Sequence, residues 1–264
     1  MNPSIATLEY LPFFLVLGFS ALIFAAYGTR LALVGRARDP RVQREQATIL
    51  LGRFPMEAFH WSMRAMADGI TRLRINPDFL TYLSLGVTAL TVPLIATGAF
   101  SWGALALLIG SAFDALDGIV ARQQGVASDS GEVLDAVVDR YADAMPLAGL
   151  ILYYHESSLA QVLVMLAWVG SFAVSYLRAK AEAMSVKLRG GIMRRQERLF
   201  YLGLALLVGP MLNHLKGVSV ARPLTLLVVA GVGILSNIAA VQLMSRTRQA
   251  LTQEGRGPKG IVRG

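Results

Sequence analysis

The chain has 264 residues, of which 55% are hydrophobic and only 16% charged, and its formal net charge is +8. A soluble domain carries about a quarter charged residues, so this composition excludes a disordered chain and argues against an ordinary soluble enzyme. No cysteine is present, which removes disulfides, thiolate nucleophiles and cysteine-ligated metal sites together.

A spanning helix needs about 20 mostly apolar residues, and the sequence offers such stretches at 10–34, 77–97, 101–121, 132–154, 159–181, 197–213 and 223–244. The first is flanked on its N-terminal side by Glu9 and followed by Arg30, Arg36, Arg38, Arg41 and Arg44. A signal peptide has the basic flank first, so this reads as a retained anchor with its N-terminus outside. Between the first two spans, Met56, Phe59, Met63, Met66 and Ile70 recur at steps of three and four, interrupted by Glu57, His60, Arg64 and Asp68. That pattern predicts an amphipathic helix over 55–73, lying in the interface or packed under the bundle. Threading the spans in order leaves Lys216 and Arg222 alone among the 25 basic residues in outside loops, as the positive-inside rule expects. Arg38 and Ser128 then face the cytoplasm, and Ser157 and Lys216 the outside. A nucleic-acid binder would gather its charge on a soluble face or arm; no nucleic-acid partner is expected. The expected fold is an all-α, polytopic membrane helix bundle: anchor 1–40, interfacial region 41–75, a six-span domain over 76–246 and a cytoplasmic tail 247–264.

Carboxylates at a membrane edge are costly, and they mark function by default. Asp114 and Asp117 near the end of one span are spaced i,i+3, and Asp135 and Asp139 near the start of the next are spaced i,i+4, so each pair shares a helix face. Residues 123–130 between them have turn chemistry, and Asp129 with Glu132 resembles a helix start. Both pairs therefore converge at one mouth. Clustered carboxylates repel one another unless cations offset them. All-oxygen ligands favour Mg²⁺ or Mn²⁺, which join carboxylates to substrate phosphates. Gly118, Ala121 and Gly131 leave room there for a bulky phosphate ligand. The histidines, at 60, 155 and 214, are too scattered for an all-histidine metal site.

The run Asp114-x2-Asp117-Gly118-x2-Ala121-Arg122-x8-Gly131-x3-Asp135-x3-Asp139 resembles the signature of the CDP-alcohol phosphatidyltransferases at every specified position. An interfacial helix and six spans over 55–244 are similar to that family's core, and Asn76-Pro77 followed by Thr81 to the opening of its first span. The anchor at 10–34 is an addition. The resemblance implies transfer of a phosphoryl-bearing group from a CDP-linked lipid to an acceptor hydroxyl, with release of CMP. It implies Asp114, Asp117, Asp135 and Asp139 as ligands of two divalent ions, with Asp139 also the general base. It places Asn76, Thr81, Asp117, Gly118, Ala121, Arg122 and Gly131 at the CDP pocket. A homodimer in a prokaryotic plasma membrane, with the site facing the cytoplasm, is likewise what the resemblance implies.

A second polar cluster, Ser175 to Glu182 and Gly190 to Arg198, lies in the same layer. Arginine can hold a phosphate bidentately, so Arg178, Lys180, Arg195 and Arg198 are candidates for an acceptor clamp. Taken singly, each is equally a topology marker. The Ser-Tyr-x-Arg-x-Lys-Ala-Glu run and the Arg-x-Glu-Arg-Leu that follows resemble the phosphatidylinositol-phosphate synthase branch, which implies inositol 1-phosphate as leading acceptor, glycerol 3-phosphate as second, and CDP-diacylglycerol or an ether analogue as donor. Two other classes fit the sequence less well. An intramembrane prenyltransferase sets its paired Asp motifs in separate halves of the bundle, whereas here both lie within 114–139; an ion carrier would set its carboxylates near the midplane.

Overall fold

The structure, a computed structural model, describes residues 3–35, 53–186, 188, 190–216 and 219–257. Arg38 and the basic run around it fall outside the described residues, as do residues 258–264 of the tail and the side chain of Lys216. The elements are α1 (Pro3–Val34), α2 (Arg53–Arg72), α3 (Pro77–Ala89), α4 (Thr91–Ala96), α5 (Phe100–Gln124), α6 (Asp129–Tyr153), α7 (Ser158–Ala183), α8 (Arg195–Lys216) and α9 (Ala221–Gln253). The all-helical membrane bundle expected from the sequence is what forms, and each expected apolar stretch falls on helix, that at 77–97 on two, α3 and α4.

Five segments are long and apolar enough to cross a membrane: Glu9–Val34, Pro77–Ala96, Phe100–Gln124, Ser158–Ala183 and Ala221–Gln253. The helices α6 and α8 are of comparable length, but their first turns are charged. Asp129 and Glu132 stand in the first turn of α6, with Asp135, Asp139, Arg140 and Asp143 in the turns that follow, and Arg195, Glu197 and Arg198 open α8. The second span is interrupted at Leu90. Pro93 has no N–H to give the Ala89 carbonyl and its ring crowds that carbonyl, so the helix breaks at the preceding turn.

Small residues set the closest helix contacts. A Cβ on Gly233 would lie 3.1 Å from the backbone of Ala167, and one on Gly170 would lie 2.5 Å from Asn237 Nδ2. Asn237 in turn donates to the Leu166 and Gly233 carbonyls at 3.0 and 2.8 Å, binding α7 to α9. Without water to drive association, such close backbone packing and interhelical hydrogen bonds hold spanning helices together. A core of Ile95, Phe100, Leu107, Leu150, Val164, Leu206 and Val229 joins α4 to α9.

The helix α2 spans 53–72 as expected, but its packed face is turned from the Met/Phe stripe. Ala58, Ser62, Met63 and Ala67 are buried, whereas Phe59 and Met66 are about half exposed. The reason is its two neighbours. Met63 and Ala67 meet Leu80, Leu116 and Val120, while Tyr27 of α1 meets Trp61 and Phe54 on the other side. It is packed by one face and exposed by the other.

Candidate active site

The sequence brings its carboxylates together through a short helical hairpin. α5 ends at Gly125, whose φ of 71° closes the helix in the left-handed conformation; Val126 N–H then returns to the Ala121 carbonyl at 3.0 Å. Glycine adopts this geometry without Cβ strain. α6 begins at Ser128, whose Oγ accepts from Gly131 N–H at 3.2 Å. The cap is thus Ser128 rather than Asp129, one residue earlier than expected, because the serine oxygen reaches the N3 amide. Asp129 and Glu132 sit in the first turn, where negative charge suits the helix dipole.

One carboxylate oxygen each from Asp114, Asp135 and Asp139 lies within 4.8 Å of the others. Asp117 is turned aside from this group. Its Oδ2 accepts from Thr81 Oγ1 at 2.6 Å and its Oδ1 accepts from Gly118 N–H. Thr81 sits one turn into α3, oriented by Asn76, whose Oδ1 caps that helix by accepting from Asp78 N–H at 2.9 Å. Asn76 acts in this structure as a helix cap and Thr81 as a partner of the signature itself. A Cβ on Gly118 would lie 3.2 Å from Arg122 Nη1, so the Arg122 guanidinium folds back over the glycine. Ala121 lies in the last turn of α5 and Gly131 in the first turn of α6.

Arg195 enters this cluster from the first turn of α8. Its Nη1 lies 2.7 Å from Asp114 Oδ2 and 2.8 Å from Asp139 Oδ1, and its Nε donates to Asp143 Oδ1 at 2.9 Å. Asp139 Oδ1 is buried and, despite that ion-pair contact, meets no donor in hydrogen-bonding geometry. The helix start is fixed by half of a capping box, with Glu197 Oε2 accepting from Arg194 N–H at 3.2 Å.

Arg198 corrects the expected clamp. Only 5% exposed, it donates through Nη2 to Asp143 Oδ2 at 2.8 Å and Ser175 Oγ at 3.1 Å, and through Nη1 to the Met193 carbonyl at 2.8 Å. It braces the site from behind. Arg178 donates to the Gly190 carbonyl at 3.1 Å, and its buried Nε has no partner. Lys180 is exposed and does not join Arg178, because residues two apart on a helix point to different sides. Asp143 and Ser175 were missed as site residues. The signal for Asp143 was present, since it repeats the Asp135–Asp139 interval once more along the same face.

The residues fit a divalent metal. Oxygen is the only ligand type, three carboxylate oxygens lie within 4.8 Å of one another, and the charge does not balance. Asp114, Asp117, Asp135, Asp139 and Asp143 face Arg195 and Arg198, with Arg140 at the edge, 4.0 Å from Asp143. A net negative cluster of this kind calls for further cations.

The model of the family described as CDP-alcohol phosphatidyltransferase matches residues 74–243. The phosphatidylinositol phosphate synthase of Mycobacteroides abscessus is 35% identical over 155 residues, 56% of this chain and 69% of that protein. The Mycolicibacterium smegmatis protein of the same name is 30% identical over 196 residues, covering 73% and 85%. Among solved structures, Mycobacterium tuberculosis phosphatidylinositol phosphate synthase with CDP-DAG bound aligns with a TM-score of 0.62 and 26% identity, over 70% of this chain and 92% of that one. The same enzyme in complex with manganese and citrate aligns equally well, over 70% and 88%. With its signature intact in sequence and its carboxylates gathered in space, this chain belongs to the CDP-alcohol phosphatidyltransferase family of metal-dependent enzymes.

Proposed function

We propose that the protein transfers the phosphatidyl group of CDP-diacylglycerol to a hydroxyl of inositol 1-phosphate, releasing CMP. One observation supports this reading above the others: a permanently charged guanidinium, Arg195, stands against the Asp114–Asp135–Asp139 carboxylates. A phosphorylated acceptor needs such a group beside the metals, and a neutral one does not. The names of the relatives agree.

Asp114, Asp135 and Asp139 hold two divalent ions, Mg²⁺ or Mn²⁺. Asp117 completes the set through lone pairs that its two hydrogen bonds leave free, since a carboxylate offers about four. Bound there, the ions polarise the diphosphate and screen its charge. Gly118, Ala121, Arg122 and Gly131 line the CDP pocket, with Asn76 and Thr81 supporting it. Arg195 orients the acceptor phosphate, with Arg178 and Lys180 at the rim. Asp139 takes the proton of the acceptor hydroxyl as its oxygen bonds to the lipid-bearing phosphorus, and the bond from that phosphorus to the CMP oxygen breaks. The enzyme acts as a homodimer in a prokaryotic plasma membrane, its site facing the cytoplasm.

The test is CMP release from CDP-diacylglycerol by purified protein with inositol 1-phosphate, inositol, glycerol 3-phosphate or serine. Preference for inositol 1-phosphate is expected. Efficient use of free inositol or serine would sink the phosphorylated-acceptor reading, and release of pyrophosphate instead of CMP would sink the transfer chemistry.

A further inference from the structure

The helix α1 lies outside the residues matched by the family model, yet it is tied to the signature. Among its described side chains only Pro12 and Tyr27 are buried. Tyr27 is 0% exposed, and its hydroxyl donates to Glu57 Oε2 of α2 at 3.0 Å. Its ring lies 5.5 Å from that of Phe54 and 5.8 Å from that of Trp61, both on α2.

Three turns beyond Glu57, α2 grips the end of α5. Gln123 Nε2 donates to Asp68 Oδ1 at 2.7 Å, and Gln123 Oε1 accepts from Thr71 Oγ1 at 2.8 Å. Gln124 Nε2 donates to the Ile75 carbonyl at 2.9 Å just beyond α2. Met63 and Ala67 pack on Leu116 and Val120, the residues next to Asp117 and Ala121. A helix end frays unless something holds it. Here the last two turns of α5, which carry Gly118, Ala121 and Arg122, are held by α2, and α2 is held by α1.

We propose that α1 is a positioning strut for the cytidine-nucleotide end of the site, acting from Tyr27 through Glu57 and α2 to Gln123. Tyr27 and Gln123 are positioning residues; neither touches substrate. The inference rests on the reading of Gly118 to Arg122 as the CDP pocket. The strut therefore governs affinity for the CDP-lipid; α1 also packs on α8, but Arg195 at the start of α8 is held by Asp114, Asp139 and Asp143.

The experiment uses the full-length protein in mixed micelles, with KM for CDP-diacylglycerol, KM for the acceptor, kcat and melting temperature measured together. Tyr27→Phe keeps the ring and deletes one hydrogen bond, and should raise KM for CDP-diacylglycerol about two- to tenfold with kcat and acceptor KM unchanged. Glu57→Gln retains an oxygen for the Tyr27 hydroxyl and should match the starting protein, whereas Glu57→Ala should reproduce Tyr27→Phe. Gln123→Leu should raise the same KM, and adding Tyr27→Phe to it should raise it no further, because the route is already cut. A Tyr27→Phe variant that melts lower with its KM unchanged, or one whose effect adds fully to that of Gln123→Leu, overturns the strut. Protection of the starting protein against heating by CDP with Mg²⁺ keeps the two failures apart. If protection and transfer are both absent, the functional reading fails; if both are present and Tyr27→Phe is silent, only the strut does.

Discussion

Arg195 and Asp143 are joined by a 2.9 Å hydrogen bond from Nε to Oδ1, and this contact aims the rest of the guanidinium. With Nε held, Nη1 lies between Asp114 and Asp139, 2.7 and 2.8 Å away. The other oxygen of Asp143 serves Arg198 at 2.8 Å. One carboxylate thus sets the direction of the cation nearest the proposed metal ligands.

Asp143→Asn presents an amide N–H₂ to one of two arginines that both need acceptors. Arg195 then loses its orientation, and kcat/KM for the phosphorylated acceptor should fall about 10- to 150-fold, the equivalent of one charged hydrogen bond. Protection by CDP with Mg²⁺ should persist. Equal loss of both would show that Asp143 supports the whole bundle and not the acceptor side.

On the proposed reading, Asp139→Asn preserves shape but removes the base, and turnover should drop roughly 10²–10⁴-fold. Asp114 and Asp135 should still hold metal in that variant, so CDP-lipid binding should survive. Asp117→Asn should instead weaken metal dependence and nucleotide binding together, since it also disturbs the Thr81 contact at 2.6 Å. Calorimetric titration with CDP in Mg²⁺ distinguishes the two variants, and identical profiles would remove the separation of base from ligand.

Gly191 has a φ of 106°, and a Cβ there would lie 2.8 Å from Arg178 Nη2. Gly191→Ala should therefore strain the loop and displace Arg178 without altering any charge. The expected result is a raised KM for the phosphorylated acceptor with unchanged KM for CDP-diacylglycerol. An unaffected acceptor KM would remove Arg178 from the clamp and leave it as a tether for the Gly190 carbonyl.

Ser128 caps the start of α6, and Ser157 caps the start of α7 at the opposite end of the bundle. Since the chain has no native cysteine, single cysteines at these positions report sidedness cleanly. Ser128→Cys should be labelled from the cytoplasmic side of sealed vesicles and Ser157→Cys from the other. Labelling of both from one side would deny that α6 crosses.

Much of this arrangement was legible in the residues. The apolar runs gave the helices, and the spacing of Asp114, Asp135 and Asp139 gave their convergence, because helical periodicity converts intervals of three and four into a shared face. What stayed hidden depends on where a long side chain turns. Arg198 and Lys180 look alike as basic residues near helix ends, yet one is drawn inward by Asp143 and Ser175 and the other remains exposed. Asp117 is within a turn of Asp114, but a threonine from another helix claims its oxygen. The α1–α2–α5 connection was equally out of reach, since Tyr27 and Glu57 are 30 residues apart and Asp68 and Gln123 are 55 apart, beyond any local pattern.

All the ionisable side chains of the site sit at one end of the bundle, where α5 ends and α6 and α8 begin. On the proposed reading, the two substrates therefore arrive in different dimensions. A CDP-linked lipid comes by lateral diffusion with its tails still in the bilayer, so the enzyme senses its mole fraction per unit area, whereas the water-soluble acceptor is sensed by bulk concentration. Velocity should thus obey surface dilution: adding inert detergent at constant total lipid slows the reaction, and restoring the mole fraction restores the rate.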